Sequence, residues 1–109
     1  MIMKTLKFYK TAAGKEPFKD WLNKIKDKIL QAKINQRLNF LAQGYMLDFD
    51  HVGQGVFETR IHVRGGIRIY FYPHKNTFII LLSGGNKKTQ NKDIQKAIEY
   101  ANDFRGRYD

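Results

Sequence analysis

Apolar and polar positions recur with two different spacings along the first half of the chain. Residues 3–9 alternate loosely and are rich in strand-forming side chains, which predicts a first strand. From Pro17 to Leu41 apolar residues recur at helical spacing, and Gly44 follows where helices commonly end. Because no Gly or Pro interrupts this pattern, one long helix and a two-helix hairpin both fit it, with Asp27 as the corner of a hairpin.

The second half of the chain is dominated by short strand patterns. Residues 43–55 combine glycines, aspartates and other polar groups, and they are predicted to form a loop. Strands are predicted at 56–63, 67–72 and 77–83. The last of these is almost wholly apolar, as expected for a strand that is covered on both faces. Helical spacing returns at 94–104 and predicts a closing helix.

These elements follow the order β-α(α)-β-β-β-α, which predicts one α+β domain over residues 1–109, with helices packed on a largely antiparallel sheet. The longest apolar run, Phe78 to Leu82, is too short to span a membrane. The chain has no cysteine, as is common in cytoplasmic proteins. Its histidines are scattered, and no His or carboxylate spacing indicates a metal site or a cofactor.

The strands predicted at 56–63 and 67–72 each have one apolar side and one polar side. Antiparallel partners point to the same face, so the register decides whether the two polar sides coincide. A three-residue loop, Arg64-Gly65-Gly66, pairs Arg60 with Tyr70 and His62 with Arg68, and it keeps one face buried. The prediction is an exposed polar patch formed by Glu58, Arg60, His62, Arg68, Tyr70 and Tyr72.

Nucleic-acid binding needs the kinds of side chain that this patch contains. Arginines bind phosphates through forked hydrogen bonds, while tyrosine rings stack on bases. The same residues also suit a solvated sheet face with cross-strand Arg–Glu and Arg–Tyr pairs. The pattern leaves both interpretations open.

The chain is strongly basic, with a formal net charge of +10. The excess is spread along its length, which indicates a basic body that attracts polyanions such as nucleic acid or ribonucleoprotein. Solubility and an acidic protein partner are the alternative explanations of the charge. Charge favours nucleic acid without identifying a site.

A glycine pair followed by lysines, Gly84-Gly85-Asn86-Lys87-Lys88, comes directly after the apolar strand. Backbone amides at a strand-to-helix turn can hold an anion. A tight turn with exposed lysines is the simpler interpretation. The spacing differs from that of a nucleotide-binding P-loop, since the lysine does not follow the second glycine directly.

Three blocks of the chain carry a recognisable pattern: G-Q-G-V-F-E-T-R-I at Gly53–Ile61, G-I-R-I-Y-F at Gly66–Phe71, and L-L-S-G-G-N-K-K-T-Q-N-K-D-I at Leu81–Ile94. In this order they resemble the RelE/ParE toxin superfamily of type II toxin–antitoxin systems. Within it, the chain is most similar to the HigB-like branch of phage-derived addiction module killer proteins. The upstream helical segments also fit, so the resemblance covers nearly the whole chain and implies a RelE-like fold.

The resemblance implies a toxin that cleaves mRNA, commonly on the ribosome. Such toxins use no metal or cofactor: the RNA 2′-hydroxyl attacks the adjacent phosphate to give a 2′,3′-cyclic phosphate, while basic residues stabilise the extra charge. By this resemblance Arg68 is the phosphate-binding arginine, and Arg60 is a looser match. Lys87 and Lys88 stand where a basic pair follows the last strand, and Arg64 is expected to bind RNA beside them.

One position departs from the family pattern. A helix tyrosine that is implicated in catalysis aligns here with Ile94, so proton transfer must come from another residue. The candidates are Tyr70, Tyr72 and His62, since histidine gives and takes a proton near neutral pH.

Two other functions remain open within the resemblance. ParE-type members inhibit DNA gyrase and cleave no RNA, and a nucleic-acid-binding domain without activity is a third possibility. The group Arg60, Arg68 and Lys87 favours the nuclease. The expected partners are mRNA, the ribosome and a cognate helix-turn-helix antitoxin (HigA-like) that covers the basic patch in a toxin–antitoxin hetero-oligomer, and the expected localisation is the cytoplasm.

Overall fold

Within residues 3–109, which the computed structural model describes, the backbone forms five strands, three α-helices and one 3₁₀ turn. The strands are β1 (Thr5–Phe8), β2 (Phe49–Gly53), β3 (Val56–Ile61), β4 (Ile67–His74) and β5 (Phe78–Asn86). The helices are α1 (Pro17–Asn23), α2 (Lys28–Ala42) and α3 (Gln90–Tyr108), and the 3₁₀ turn is Lys87–Thr89. In this part of the chain no helix is both long and apolar enough to cross a membrane.

The strands form one mixed sheet in the order β1-β5-β4-β3-β2. β1 lies parallel to β5, and the other neighbouring pairs are antiparallel. A parallel pair needs a long crossover connection, and the chain between β1 and β5 supplies it. The predicted α+β class and the largely antiparallel sheet are therefore confirmed.

The prediction that residues 43–55 form a loop is wrong for their second half, because β2 lies there. Asp50 pairs with Glu58, and His51 pairs with Phe57 of β3. β2 is an edge strand, and most of its side chains are exposed. An edge strand has a single neighbour, so it can form without the apolar alternation that a sequence pattern would reveal.

Of the two helical alternatives, the chain adopts the two-helix hairpin. α1 begins at Pro17, whose fixed φ suits a first helical turn. The Asp27 carboxylate caps α2, because its Oδ1 accepts hydrogen bonds from the amides of Ile29 at 2.9 Å and Leu30 at 3.1 Å. The corner of the hairpin is thus at the predicted residue.

Helices cover both faces of the sheet and create two apolar layers. On one face lie α1 and α2, and the buried side chains are Phe18, Ile34, Leu41, Ile61, Ile67, Ile69, Phe71, Ile79 and Leu81. On the other face lies α3, and the buried side chains are Tyr9, Val56, Tyr70, Ile80, Leu82, Ala97 and Ala101. β5 contributes to both layers, which confirms the prediction that its apolar run is covered on both faces.

β5 continues through the glycine pair, so the prediction of a tight turn at Gly84 and Gly85 is wrong. A Cβ on Gly84 would overlap the ring of Trp21 in α1, and a Cβ on Gly85 would overlap the carboxylate of Asp93 in α3. The two helices therefore approach the strand from opposite faces so closely that only glycine fits. The chain turns after this, where Asn86 caps the 3₁₀ turn.

Candidate functional site

The antiparallel strands β3 and β4 place Arg60 directly opposite Arg68. The predicted register, in which Arg60 lay opposite Tyr70, is therefore wrong. Its parity is right, because Ile61 lies opposite Ile67 and the apolar side chains still share one buried face. The two arginines consequently lie closer together in the sheet than the sequence indicated.

The loop between these strands is wider than predicted and spans residues 62–66. The amide of Gly66 donates to the carbonyl oxygen of Val63 at 2.8 Å. Gly65 and Gly66 have φ values of 85° and 64°, a left-handed conformation that glycine adopts with little strain. His62 thus leaves the strand, and its side chain is 78% exposed instead of lying in the sheet.

The predicted polar patch is not an exposed surface, because α3 covers its centre. Tyr70 is 0% exposed and Glu58 is 1% exposed. The Tyr70 hydroxyl donates to Glu58 Oε1 at 3.1 Å. Burial, followed by the Glu58 charge, raises the pKa of Tyr70 far above its ordinary value. This position is incompatible with the stacking or proton-transfer role that the sequence indicated for Tyr70.

Tyr72 lies farther along β4, away from Arg68. Its ring packs against Phe104 with a centroid distance of 5.9 Å, and the Arg105 guanidinium lies 5.0 Å from the ring centroid. Its hydroxyl donates to Asp109 Oδ2 at 3.4 Å. It is four positions from Arg68 along the strand, a distance of about 13 Å. Tyr72 therefore belongs to the contact between β4 and the end of α3.

An open groove of about 820 Å³ lies where loop 62–66 meets the start of β4 and the end of β5. We call it the basic groove, and its cationic and imidazole side chains are Arg60, His62, Arg64, Arg68, Lys87 and Lys88. Among the described residues that line it there is no carboxylate, so its potential is positive. The fold thus brings together every residue that the sequence indicated for the site except Tyr70 and Tyr72.

Arg68 and Lys87 converge at Gly66. The amide of Lys87 donates to the carbonyl oxygen of Gly65 at 3.1 Å, which ties the start of the 3₁₀ turn to loop 62–66. A Cβ on Gly66 would lie 3.2 Å from Arg68 Nη1 and 3.3 Å from Lys87 Cβ. A single phosphate group in this part of the groove is therefore within reach of both cations.

The two arginines of the groove differ in the carboxylates around them. Arg60 Nη1 donates to Asp50 Oδ2 at 2.5 Å, and its Nη2 donates to Asp48 Oδ1 at 3.1 Å. These hydrogen bonds, with Asp50 first, raise the pKa of Arg60. The carboxylate beside Arg68 is that of Glu58, whose Oε1 lies 3.4 Å from Arg68 Nε. The charge of Arg60 is thus compensated on the outside of the sheet, whereas Arg68 keeps its outer nitrogens at the groove.

His62 is the exposed histidine of the groove. Its Nε2 contacts the carboxylate of Asp48. The pKa of Asp48 is lowered, first by the hydrogen bond from Arg60 and also by His62, so the carboxylate stays ionised and orients the imidazole. Within residues 3–109, no group of three His, Asp or Glu side chains is arranged to hold a metal ion.

Sequence reasoning missed the role of Glu58 beneath the groove. Its Oε1 accepts hydrogen bonds from Tyr70 at 3.1 Å and from Gln90 Nε2 at 3.0 Å, and it also lies beside Arg68. One signal in the sequence could have indicated that Glu58 is buried. The apolar strand predicted at 77–83 must be covered by other elements on both of its faces. The elements that cover it also extend over the neighbouring strands of the sheet.

The fold and the groove together define a small α+β protein with a cationic surface suited to anions. More particularly, the chain belongs to the Gp49-like family of phage-derived proteins (DUF891), whose family model matches residues 20–105. This family is associated with addiction-module toxins. The matched segment contains every residue of the basic groove, so the predicted kinship with such toxins is confirmed at this level.

A second comparison finds a relative that is similar over most of the chain. It is an uncharacterized protein of Haemophilus influenzae that is 42% identical over 80 residues. The match covers 73% of this chain and 81% of that protein. The two proteins are therefore similar along most of their lengths and not only in a short motif.

Proposed function

We propose that this protein is the toxin of a type II toxin–antitoxin module and acts as a metal-independent, ribosome-associated endoribonuclease on mRNA. The proposal includes membership of the HigB-like branch of the RelE/ParE superfamily and a RelE-like fold. Three observations support it: the family's association with addiction modules, the net charge of +10 and the basic groove.

The convergence of Arg68 and Lys87 at Gly66 carries the proposal. An RNA phosphodiester has one negative charge, and it gains a second as phosphorus becomes five-coordinate. The Arg68 guanidinium at Gly66, together with a Lys87 side chain that begins beside it, would therefore stabilise the transition state more than the bound substrate, which accelerates the reaction. Lys88 and Arg64 lie along the same groove and suit the neighbouring phosphates of the strand.

The proposed reaction is an internal phosphoryl transfer. The RNA 2′-oxygen bonds to the adjacent phosphorus while the bond from phosphorus to the 5′-oxygen breaks. His62 takes the 2′-hydroxyl proton and returns a proton to the leaving 5′-oxygen, with its imidazole held by Asp48. The products are a 2′,3′-cyclic phosphate end and a 5′-hydroxyl end, and neither water nor a metal ion enters the balance.

The proposal is tested by inducing the protein in bacteria and mapping RNA ends that carry a 2′,3′-cyclic phosphate. We expect growth arrest together with such ends inside mRNA. Lys87→Ala should abolish both effects. Lys96→Ala is the matched control, because Lys96 is an exposed lysine of α3, 57% exposed, outside the groove. Arrest that persists in Lys87→Ala would contradict the assignment of the groove.

The same cultures distinguish the gyrase alternative. If the protein arrests growth while transcripts stay intact and gyrase is trapped on broken DNA, the nuclease proposal is wrong and a ParE-like inhibitor is correct. Cleaved transcripts without trapped gyrase support the nuclease. Purified ribosomes with a defined mRNA then show whether cleavage depends on translation.

A cognate helix-turn-helix antitoxin of the HigA-like kind is the proposed partner, and we expect it to cover the basic groove. Acidic side chains on such a partner would complement the carboxylate-free lining. The antitoxin should therefore displace a bound RNA oligonucleotide from the wild-type protein. Simultaneous binding of RNA and antitoxin would show that it neutralises the toxin elsewhere.

A further inference from the structure

The buried carboxylate of Glu58 lies beneath both walls of the basic groove. Its Oε1 lies 3.4 Å from Nε of Arg68, which belongs to the wall formed by β4. The same oxygen accepts a hydrogen bond from Gln90 Nε2 at 3.0 Å. Gln90 directly follows the 3₁₀ turn that carries Lys87 and Lys88, the opposite wall. One carboxylate therefore contacts both segments that bring cations to the groove.

The buried carboxylate of Glu58 is surrounded by hydrogen-bond donors and cations. A carboxylate that is 1% exposed is stable as an anion only when donors and cations surround it. The Tyr70 hydroxyl donates to it at 3.1 Å, and Arg60 Nη1 lies 3.4 Å from its Oε2. Donor groups from β3, β4 and α3 contact this carboxylate, so its position is set from several elements at once.

Arg68 connects this buried carboxylate to the groove. Its side chain is only 11% exposed, and its Nε is buried without a well-aligned hydrogen bond. The nearby anion is Glu58, while Arg68 Nη1 lies 3.4 Å from the carbonyl oxygen of Gly66 at the groove. The attraction of Glu58 at the inner end thus restrains the guanidinium and leaves its outer end available to a phosphate.

We propose that Glu58 is a positioning residue of the basic groove. It touches no RNA, but its charge holds Arg68, and its hydrogen bond to Gln90 holds the turn of Lys87 and Lys88. Together these contacts set the spacing of the cations around the scissile phosphate. The inference rests on the proposed nuclease, since that reaction supplies the phosphate.

The first test compares Glu58→Gln with Asp50→Asn in RNA cleavage. Each variant removes one carboxylate charge with little change of shape, and both carboxylates contact Arg60. We expect Glu58→Gln to lower kcat about 10- to 100-fold with KM nearly unchanged, because small displacements of catalytic groups have effects of this size. Asp50, 60% exposed, should matter little. Equal activity of the two variants would overturn the inference.

A double-mutant cycle separates positioning from a general loss of structure. Because part of the effect of Glu58 acts through Arg68, adding Glu58→Gln to Arg68→Ala should reduce activity by a smaller factor than Glu58→Gln does in the wild-type protein. A purely structural role would give effects that multiply. Fully multiplicative effects would therefore contradict the part of the inference that acts through Arg68.

A spectroscopic measurement tests the same contact without RNA cleavage. The Nε–H resonance of Arg68 is identified in the full chain by its loss in Arg68→Lys. We expect it to shift in Glu58→Gln and to stay in place in Asp50→Asn. An unshifted resonance overturns the inference even if the wild-type protein cleaves RNA. If the resonance shifts in Glu58→Gln but the wild-type protein cleaves no RNA, the proposed function is refuted instead.

Discussion

Arg60 and Arg68 lie opposite each other on neighbouring strands, yet their surroundings differ. Arg60 points toward the edge of the sheet, where Asp48 and Asp50 bind it. Arg68 lines the groove, where the charged side chains of the lining are arginines and lysines, and its carboxylate partner, Glu58, is buried below. The arginines are chemically identical, so the difference is due to what the neighbouring elements contribute.

This difference shows how a basic protein separates structural cations from cations that can bind a ligand. On the edge strand β2, Asp50 compensates Arg60 and joins two strands. At the other position, glycines and lysines border the groove, and within residues 3–109 Arg68 has no exposed carboxylate partner. We therefore expect substitutions at the two arginines to affect different properties.

The largest effect is expected for Arg68→Ala. RNA cleavage should fall by at least about 100-fold, because a preplaced cation at the phosphate is lost. Stability should also fall, by roughly 3 kcal/mol, since Glu58 would remain buried with one partner fewer. Single-turnover cleavage and urea unfolding measure the two effects, and Arg68→Lys is the control that retains the charge. Cleavage at the wild-type rate in Arg68→Ala would remove the distinction between the arginines.

The next largest effect is expected on stability, at β5, which pairs with the strand that carries Arg68. Gly84→Ala should cost about 1–3 kcal/mol of stability, because its Cβ would overlap the rigid Trp21 ring. Gly106→Ala in α3 is the matched control: its Cβ meets nothing within 4 Å, and it should be neutral or gain up to about 1 kcal/mol. Thermal unfolding measures both. Equal stabilities would show that α1 does not pack on β5 this closely.

A smaller effect on cleavage is expected for Arg60→Ala. Its charge is already compensated by Asp48 and Asp50, so cleavage should stay within about tenfold of wild type, with a stability loss of about 1 kcal/mol. This expectation departs from the role that the family resemblance implies for Arg60. A loss of cleavage as large as that of Arg68→Ala would restore that role. It would contradict the inference that Asp48 and Asp50 compensate the charge of Arg60.

The smallest expected effect is on the stability of the fold at acid pH, and it depends on Asp48. Its pKa is lowered in the folded protein, so its contribution to stability is present above its ordinary value of 3.8 and is lost as pH falls through the lower folded value. Asp48→Asn should therefore lose a little stability at neutral pH and nothing at the acid end. Urea unfolding of both proteins from neutral to acid pH measures the difference in the free energy of unfolding. An unchanged pH profile in the variant would show that the Asp48 contacts do not stabilise the fold.

The sequence predicted part of the site for reasons that can be stated. The even spacing of apolar residues preserved the parity of β3 and β4, and so kept Arg60 and Arg68 on one face. The register itself depended on how loop 62–66 closes with two glycines at positive φ, which the apolar pattern does not encode. The burial of Tyr70 is not evident from the sequence, because a tyrosine on the polar side of a strand is expected to be exposed.

By itself, the sequence determined the α+β class, the buried run of β5 and the basic character of the chain, because these follow from local spacing and composition. It left one long helix and a hairpin with its corner at Asp27 both open. Only the tertiary structure decided that α3 covers Glu58 and Tyr70, that β2 carries Asp50 to Arg60, and that Lys87 meets Arg68 at Gly66. Such contacts join residues far apart along the chain. Whether such contacts form depends on which charged groups the folded chain buries together and which it leaves exposed to solvent.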